Sequence, residues 1–234
     1  FSIVSRGEVP SNLERYVVLK CDLSKDAIPD YLLKDYSCVI FLAAVNNNKN
    51  VAYADFLSVN KYAALNCYLS CIAAGVSKFI YFSTLSIFGQ SSELGYKCDD
   101  ANSPFDFYSK SKLEGEKALL KAFLKQTQLH IIRLPMVYGA KINNNFKLLI
   151  KLAEIKVPLP LLGIENKKSI IGISNLLSYM DQLCFTDRSD SMSNKITLIH
   201  DAEVLSISDL LGKISSVGNF KSSFFYMPST IIWL

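Results

Sequence analysis

The sequence predicts an α/β protein built on a parallel sheet covered by helices on both faces. Three observations carry this. Short strand-like runs alternate with helix-length amphipathic segments. The most continuous apolar run, Cys38 to Val45, has the length of a buried strand, far short of the ~18 residues of a membrane span. Half of the 234 residues are apolar, enough for one well-buried body, or a body with a small second lobe.

Phe1–Ser5 and Tyr16–Leu19 read as the first two strands, the second leading into Cys21-Asp22-Leu23. Cys38–Ala44 is a third, bounded by the asparagine-rich run 46–50. Across 52–74, Ala, Leu and Tyr recur three and four apart, which makes a helix that Gly75 is placed to end. Strand 78–83, helix 108–126, strand 130–135, strand 195–200 and helix 206–216 follow. The stretch 140–173 breaks the rhythm with Asn143-Asn144-Asn145 and the Pro158-Leu159-Pro160 turn. The division expected is a core of 1–139 and 172–204 with a small lobe of 140–171 and 205–234.

A net charge of +4, carried mostly by scattered lysines, gives no electrostatic case for nucleic acid. Cys67 and Cys71 stand four apart on the expected helix. With neither histidine near them in sequence, they read as free thiols of a reducing cytosol, and no metal is expected. No membrane insertion and no leader are read from the chain, and a cytoplasmic location is expected. Both ends read as cut, since the chain opens without Met and stops after an apolar stretch.

The segment Tyr108-Ser109-Lys110-Ser111-Lys112 holds the strongest chemistry. Four residues apart on a helix, Tyr108 and Lys112 share a face. A lysine cation a few ångströms from a phenol favours the phenolate and is expected to lower its pKa. Such a pair can pass a proton to or from a hydroxyl or ketone while a cofactor handles hydride. Upstream, a strand ends in Ser83-Thr84, and open α/β sheets bind ligands at the carboxyl ends of their strands. Thr84 is therefore a candidate hydrogen-bond partner for the oxygen that Tyr108 protonates; alternatively, it bonds its own backbone.

The motifs in order resemble the extended short-chain dehydrogenase/reductases. They are Asp22-Leu23, Phe41-Leu42-Ala43-Ala44, Val59-Asn60, Ser83-Thr84 with Phe88-Gly89, Pro104, Tyr108 with Lys112, Leu113-Glu114-Gly115-Glu116, and Arg133 with Val137-Tyr138-Gly139. Within 131–176, Asn145-Phe146, the Pro158–Pro160 turn and Asn166-Lys167-Lys168-Ser169 look closest to the nucleotide-sugar epimerase/dehydratase branch, especially its members in surface-polysaccharide synthesis.

The resemblance implies a Rossmann-type doubly wound parallel sheet and a small substrate lobe. It implies Tyr108 as acid/base, Lys112 as ribose ligand and tuner of the tyrosine, and Thr84 as an assisting hydrogen-bond partner that also meets substrate. Asp22 and Leu23 would flank the adenine, and Ala43 and Ala44 would admit the cofactor close to the backbone. Asn145 and Lys168 would reach the diphosphate of a nucleotide-sugar substrate. Lys168 would stand in for an arginine, keeping its charge without the bidentate fork. A homodimer through 52–74 and the helix of Tyr108 is also implied, although core packing explains the apolar residues of 52–74 equally well.

Three departures qualify this. The sequence has no G-x-x-G-x-x-G, and the family's phosphate loop and first strand are expected ahead of Phe1. Met136 stands where many sugar epimerases place an asparagine. Ser5-Arg6 follows the opening strand where an acidic residue would hold an unphosphorylated ribose. Arg6 leans to NADP, and the cofactor reads as NAD or NADP.

The function expected is epimerisation or 4-keto reduction at C4 of a UDP- or dTDP-linked sugar. Thr84 is followed by Leu85 and Ser86, where the family's dehydratases carry Asp-Glu, so no elimination of water is expected. The alternatives are a reductase of a non-sugar carbonyl and a non-catalytic binding protein keeping the fold.

Overall fold

The computed structural model describes residues 2–8, 11–13, 16–46, 51–89, 95–139, 145–155, 158–161, 168–185, 194–221 and 223–227. Two compact units divide the chain. One comprises Phe1–Gly89, Ala101–Arg133 and Thr186–Thr197; the other comprises Gln90–Asp100, Leu134–Phe185 and Leu198–Leu234.

In the first unit β1 (Ser2–Ser5) pairs in parallel with β2 (Val17–Lys20). β3 (Cys38–Phe41) and β4 (Lys78–Thr84), also parallel, continue into a four-stranded sheet ordered β3-β4-β5-β8, with β5 at Gln128–Leu134 and β8 at Lys195–Leu198. Each of these strands was expected from sequence. β3 stops at Phe41, three residues before the end expected at Ala44.

The helix expected over 52–74 forms, but in three parts: α1 (Tyr53–Leu57), a π-helical segment (Ser58–Ala63) and α2 (Ala64–Ala74). Gly75 ends it in the left-handed region at φ 78, a conformation glycine takes without strain. A π segment gains an extra residue in its turn, and this one buries Val59, Asn60 and Ala63, the polar Asn60 fully. α3 (Phe107–Lys121) ends sooner than its sequence suggests, and Phe123 just beyond it packs against the buried core cluster.

The second unit contains β6 (Met136–Tyr138), parallel to β7 (Ile170–Gly172), with α4 (Asn145–Glu154), α5 (Ile173–Phe185) and α6 (Ile207–Gly218). β7 and α4 fall within the stretch whose irregular composition concealed them. α6 opens on a capping box between Ser206 and Asp209. Asp201 ties this unit together, accepting from Tyr138 Oη at 2.8 Å, Gly172 N at 3.1 Å and Asn175 Nδ2 at 2.7 Å. Burial pushes its carboxyl up, but these bonds outweigh that and hold it below the usual range. Among the described residues no helix is long and apolar enough to cross a membrane.

Candidate active site

The site is built on the carboxyl end of β4 and the first turns of α3. Asp106 caps α3: its Oδ1 accepts from Ser109 N at 2.7 Å, and Ser109 Oγ in return accepts from Asp106 N at 3.3 Å. This box fixes the first turn, where Tyr108 sits half-buried. Ser111 Oγ donates to the Tyr108 carbonyl at 2.7 Å and accepts from Asn60 Nδ2 at 2.9 Å. Asn60 also clasps the chain after β3, accepting from Val45 N at 3.0 Å and donating to Val45 O at 3.1 Å. One buried amide thus joins the segment after β3 to the turn carrying Tyr108.

Lys112, one turn beyond Tyr108, is only 3% exposed. Its Nζ donates to the Phe82 carbonyl at 2.8 Å and lies 4.8 Å from the centroid of the Tyr81 ring. The lysine is thereby pinned to β4, two residues from Thr84. Burial pulls its pKa down to about 7, against the opposing pull of Glu116. Thr84 Oγ1 accepts from Ser86 N and donates to Ser86 Oγ, both at 3.2 Å, so it caps the short 3₁₀ turn Leu85–Phe88. Next to it, Ser83 Oγ is buried with no hydrogen-bond partner among the described residues.

The phenol of Tyr108 reverses the expected direction. Burial, helped by Asp106, pushes it up to about 12 instead of down. Spacing put the two side chains on one face, but the ammonium is spent on the Phe82 carbonyl and the Tyr81 ring, and desolvation of the phenolate dominates.

The remaining expected residues of this unit follow strand ends. Asp22 closes a local turn, its Oδ1 accepting from Ser24 N at 3.1 Å and Ser24 Oγ at 2.7 Å, and it stays readily ionised. Leu23 packs on the core, Ala43 and Ala44 are half-buried beyond β3, and Arg6 is exposed. In the second unit Lys168 is exposed and its backbone bridges Leu205. Asn145 opens α4, and its side chain lies outside the described residues.

Asn60, Glu116 and Arg133 stand in the sequence motifs without an assigned role, and Tyr81 stands in none of them. Tyr81 Oη donates to the Asn60 carbonyl at 2.7 Å. Arg133 grips Glu116 with Nε at 3.1 and 3.3 Å and Nη2 at 2.7 Å, both side chains buried. A tyrosine within the apolar run 79–82 of β4 was the one available signal, since a buried hydroxyl needs a partner.

Residues 15–162 match the family model described as the RmlD substrate binding domain. The chain is 30% identical over 165 residues to a UDP-glucose 4-epimerase of Vibrio cholerae, covering 68% of this chain and 49% of that protein. It thus spans about half the length of that curated relative. Two solved structures share the fold. One is MoeE5 in complex with UDP-glucose and NAD, at TM-score 0.76 and 19% identity over 96% of this chain and 76% of that one. The other is UDP-N-acetylglucosamine 4-epimerase from Bacillus cereus, at 0.75 and 17% over 98% and 81%. These likenesses agree with the Rossmann-type parallel sheet and flanking helices, and the family match spans well over half of the sequence. The chain belongs to the RmlD substrate binding domain family, among the extended short-chain dehydrogenase/reductases.

Proposed function

We propose that the whole protein is an NAD-dependent enzyme acting at C4 of a nucleotide-linked sugar, as an epimerase or a 4-keto reductase. The observation that carries this reading is the placement of Lys112: its 2.8 Å bond to the Phe82 carbonyl holds the Tyr108 helix against the strand end that bears Thr84. Asp22, Ala43 and Thr84 all follow or end parallel strands on the side where such sheets take ligands, and the small side chains leave backbone open to a dinucleotide. NAD is favoured over NADP because the solved neighbours carry it.

The nicotinamide, when bound, supplies the hydride chemistry. The chain supplies proton handling and position. A phenol at about 12 keeps its proton at neutral pH and is suited to donating it to a keto oxygen. In the reverse direction the Lys112 cation must favour the phenolate. Thr84 would hold the same oxygen, while Asn145 and the exposed Lys168 are the proposed ligands of the substrate's diphosphate. Leu85 and Ser86 offer no carboxylate beside Thr84, which supports chemistry without loss of water. The nearest carboxylate downstream, Glu93, lies outside the described residues. A cytoplasmic role in surface-polysaccharide synthesis belongs to this reading. So does a homodimer through the 53–74 helix and α3, supported by the exposed Tyr62 and Leu69.

The test is to incubate full-length protein with NAD or NADP and a panel of UDP-hexoses and 4-keto-6-deoxy sugars, following products by mass. An isobaric product supports epimerisation, and a gain of two hydrogens supports reduction. Loss of one water overturns the assignment. No product with any substrate leaves a binding protein as the better reading.

A further inference from the structure

Tyr108, Lys112 and Glu116 follow one another at four-residue steps, so α3 presents phenol, ammonium and carboxylate as a ladder on one face. An acid/base role for Tyr108 accounts for the first rung and part of the second. It does not explain why a family of buried charges continues below them. Glu116 is 1% exposed and Arg133, on β5, is 3% exposed. Arg133 commits its Nε and Nη2 to the carboxylate, and its guanidinium lies 5.0 Å from the Phe88 ring centroid. That carboxylate cannot swing away. From the other side the Tyr81 ring faces the ammonium at 4.8 Å, and the ring is itself anchored by its 2.7 Å bond to the Asn60 carbonyl.

A buried ammonium loses its proton unless its surroundings favour the charged form. Three groups do so here: the Phe82 carbonyl, the Tyr81 π face and the Glu116 carboxylate. We infer that Tyr81 and Glu116 are positioning residues that hold the Lys112 ammonium in place and charged beneath the active-site tyrosine, with Arg133 in turn holding Glu116. This rests on the proposed function only for its catalytic consequence.

The ionisable groups around Lys112 are Tyr108 and Glu116 on α3, Tyr81 on β4 and Arg133 on β5. Lys61 of the π segment and Lys117 are drawn off by Glu114, at 3.2 Å each. Lys78 lies at the far end of β4. Glu116 raises the Lys112 pKa against desolvation, as the ladder geometry requires.

The experiment is a pH titration of the full chain labelled with ¹³Cε-lysine and followed by NMR, the Lys112 signal being identified by its loss in Lys112→Arg. Glu116→Gln should lower the Lys112 midpoint by about one pH unit or more, the size of shift a nearby opposite charge produces. Tyr81→Leu should lower it by about half a unit or more, while Tyr81→Phe, which keeps the ring, leaves it in place. If Glu116→Gln does not fold, Glu116→Met with Arg133→Met removes the carboxylate without stranding a charge; loss of the guanidinium beyond it offsets part of the effect, so a downward shift smaller than that of Glu116→Gln is expected. A merely structural pair would lower the melting temperature and leave the midpoint alone. An unmoved midpoint in the Glu116 variants overturns the inference, whether or not the protein turns over sugar nucleotides. If full-length protein is active, the alkaline fall of kcat should move to lower pH in step with the midpoint. If the midpoint moves and no substrate is turned over, the charge-holding role stands and the catalytic reading falls.

Discussion

Gly115 lies directly against Tyr81: a Cβ at this position would stand 2.5 Å from the Tyr81 hydroxyl oxygen and 2.3 Å from the Asn60 carbonyl oxygen. In an ordinary helix interior, replacing glycine with alanine is worth ~1 kcal/mol of added stability. Here the methyl meets backbone on one side and the anchored phenol on the other. Gly115→Ala should therefore lose about 1–3 kcal/mol, the usual range for overpacking, and should loosen the ring facing Lys112. Urea unfolding checks this, and a variant more stable than the parent would contradict it.

The Arg133–Glu116 pair makes a second prediction. Removing one partner strands a buried charge, so Arg133→Met should cost about 3–5 kcal/mol, whereas replacing both with methionine should recover most of the loss. The comparison of single and double variants by thermal or chemical denaturation decides it. Equal losses in both would mean that packing, not charge, sets the effect.

Tyr108→Phe keeps the ring and removes the proton. In full-length protein kcat should fall by about 10²-fold or more, as expected for a general acid–base group, with NAD affinity nearly unchanged. Near-normal turnover would remove Tyr108 from the mechanism.

His130, on β5, gives the fold a pH dependence. Burial, with Lys78 and Lys195 nearby, pulls its pKa from 6.5 down to about 4. Between those values the unfolded chain binds a proton that the folded chain refuses, so stability falls as pH drops from 6.5 toward 4 and is unaffected by this group above that window. His130→Gln should abolish on the order of 2 kcal/mol of that acid loss, allowing for the partial exposure of the ring. Parallel urea titrations at pH 4, 5 and 7 measure the difference, and identical slopes for parent and variant would count against it.

Local pattern alone determined a good deal of this protein. Strand and helix periodicity placed β1 to β5, β8, the 53–74 helix and α6 within a few residues, because those signals depend on near neighbours. The spacing of Tyr108 and Lys112 put both on one face of α3, and Gly75 marked a helix end. Tertiary structure decided what burial decides. β7 and α4 were hidden in an irregular stretch, since short elements supported by distant packing carry little local signal. The π segment, in which Asn60 is buried, could not be read from apolar periodicity that runs on through both of its ends. The direction of the Tyr108 shift followed from desolvation and from where the Lys112 ammonium was spent, neither of which spacing encodes. The partners of Lys112 come from β4 and β5 as well as its own helix. Only the fold could bring Phe82, Tyr81 and, through Glu116, Arg133 around one charge, because a side chain's dielectric surroundings are a property of the packed molecule, not of the chain.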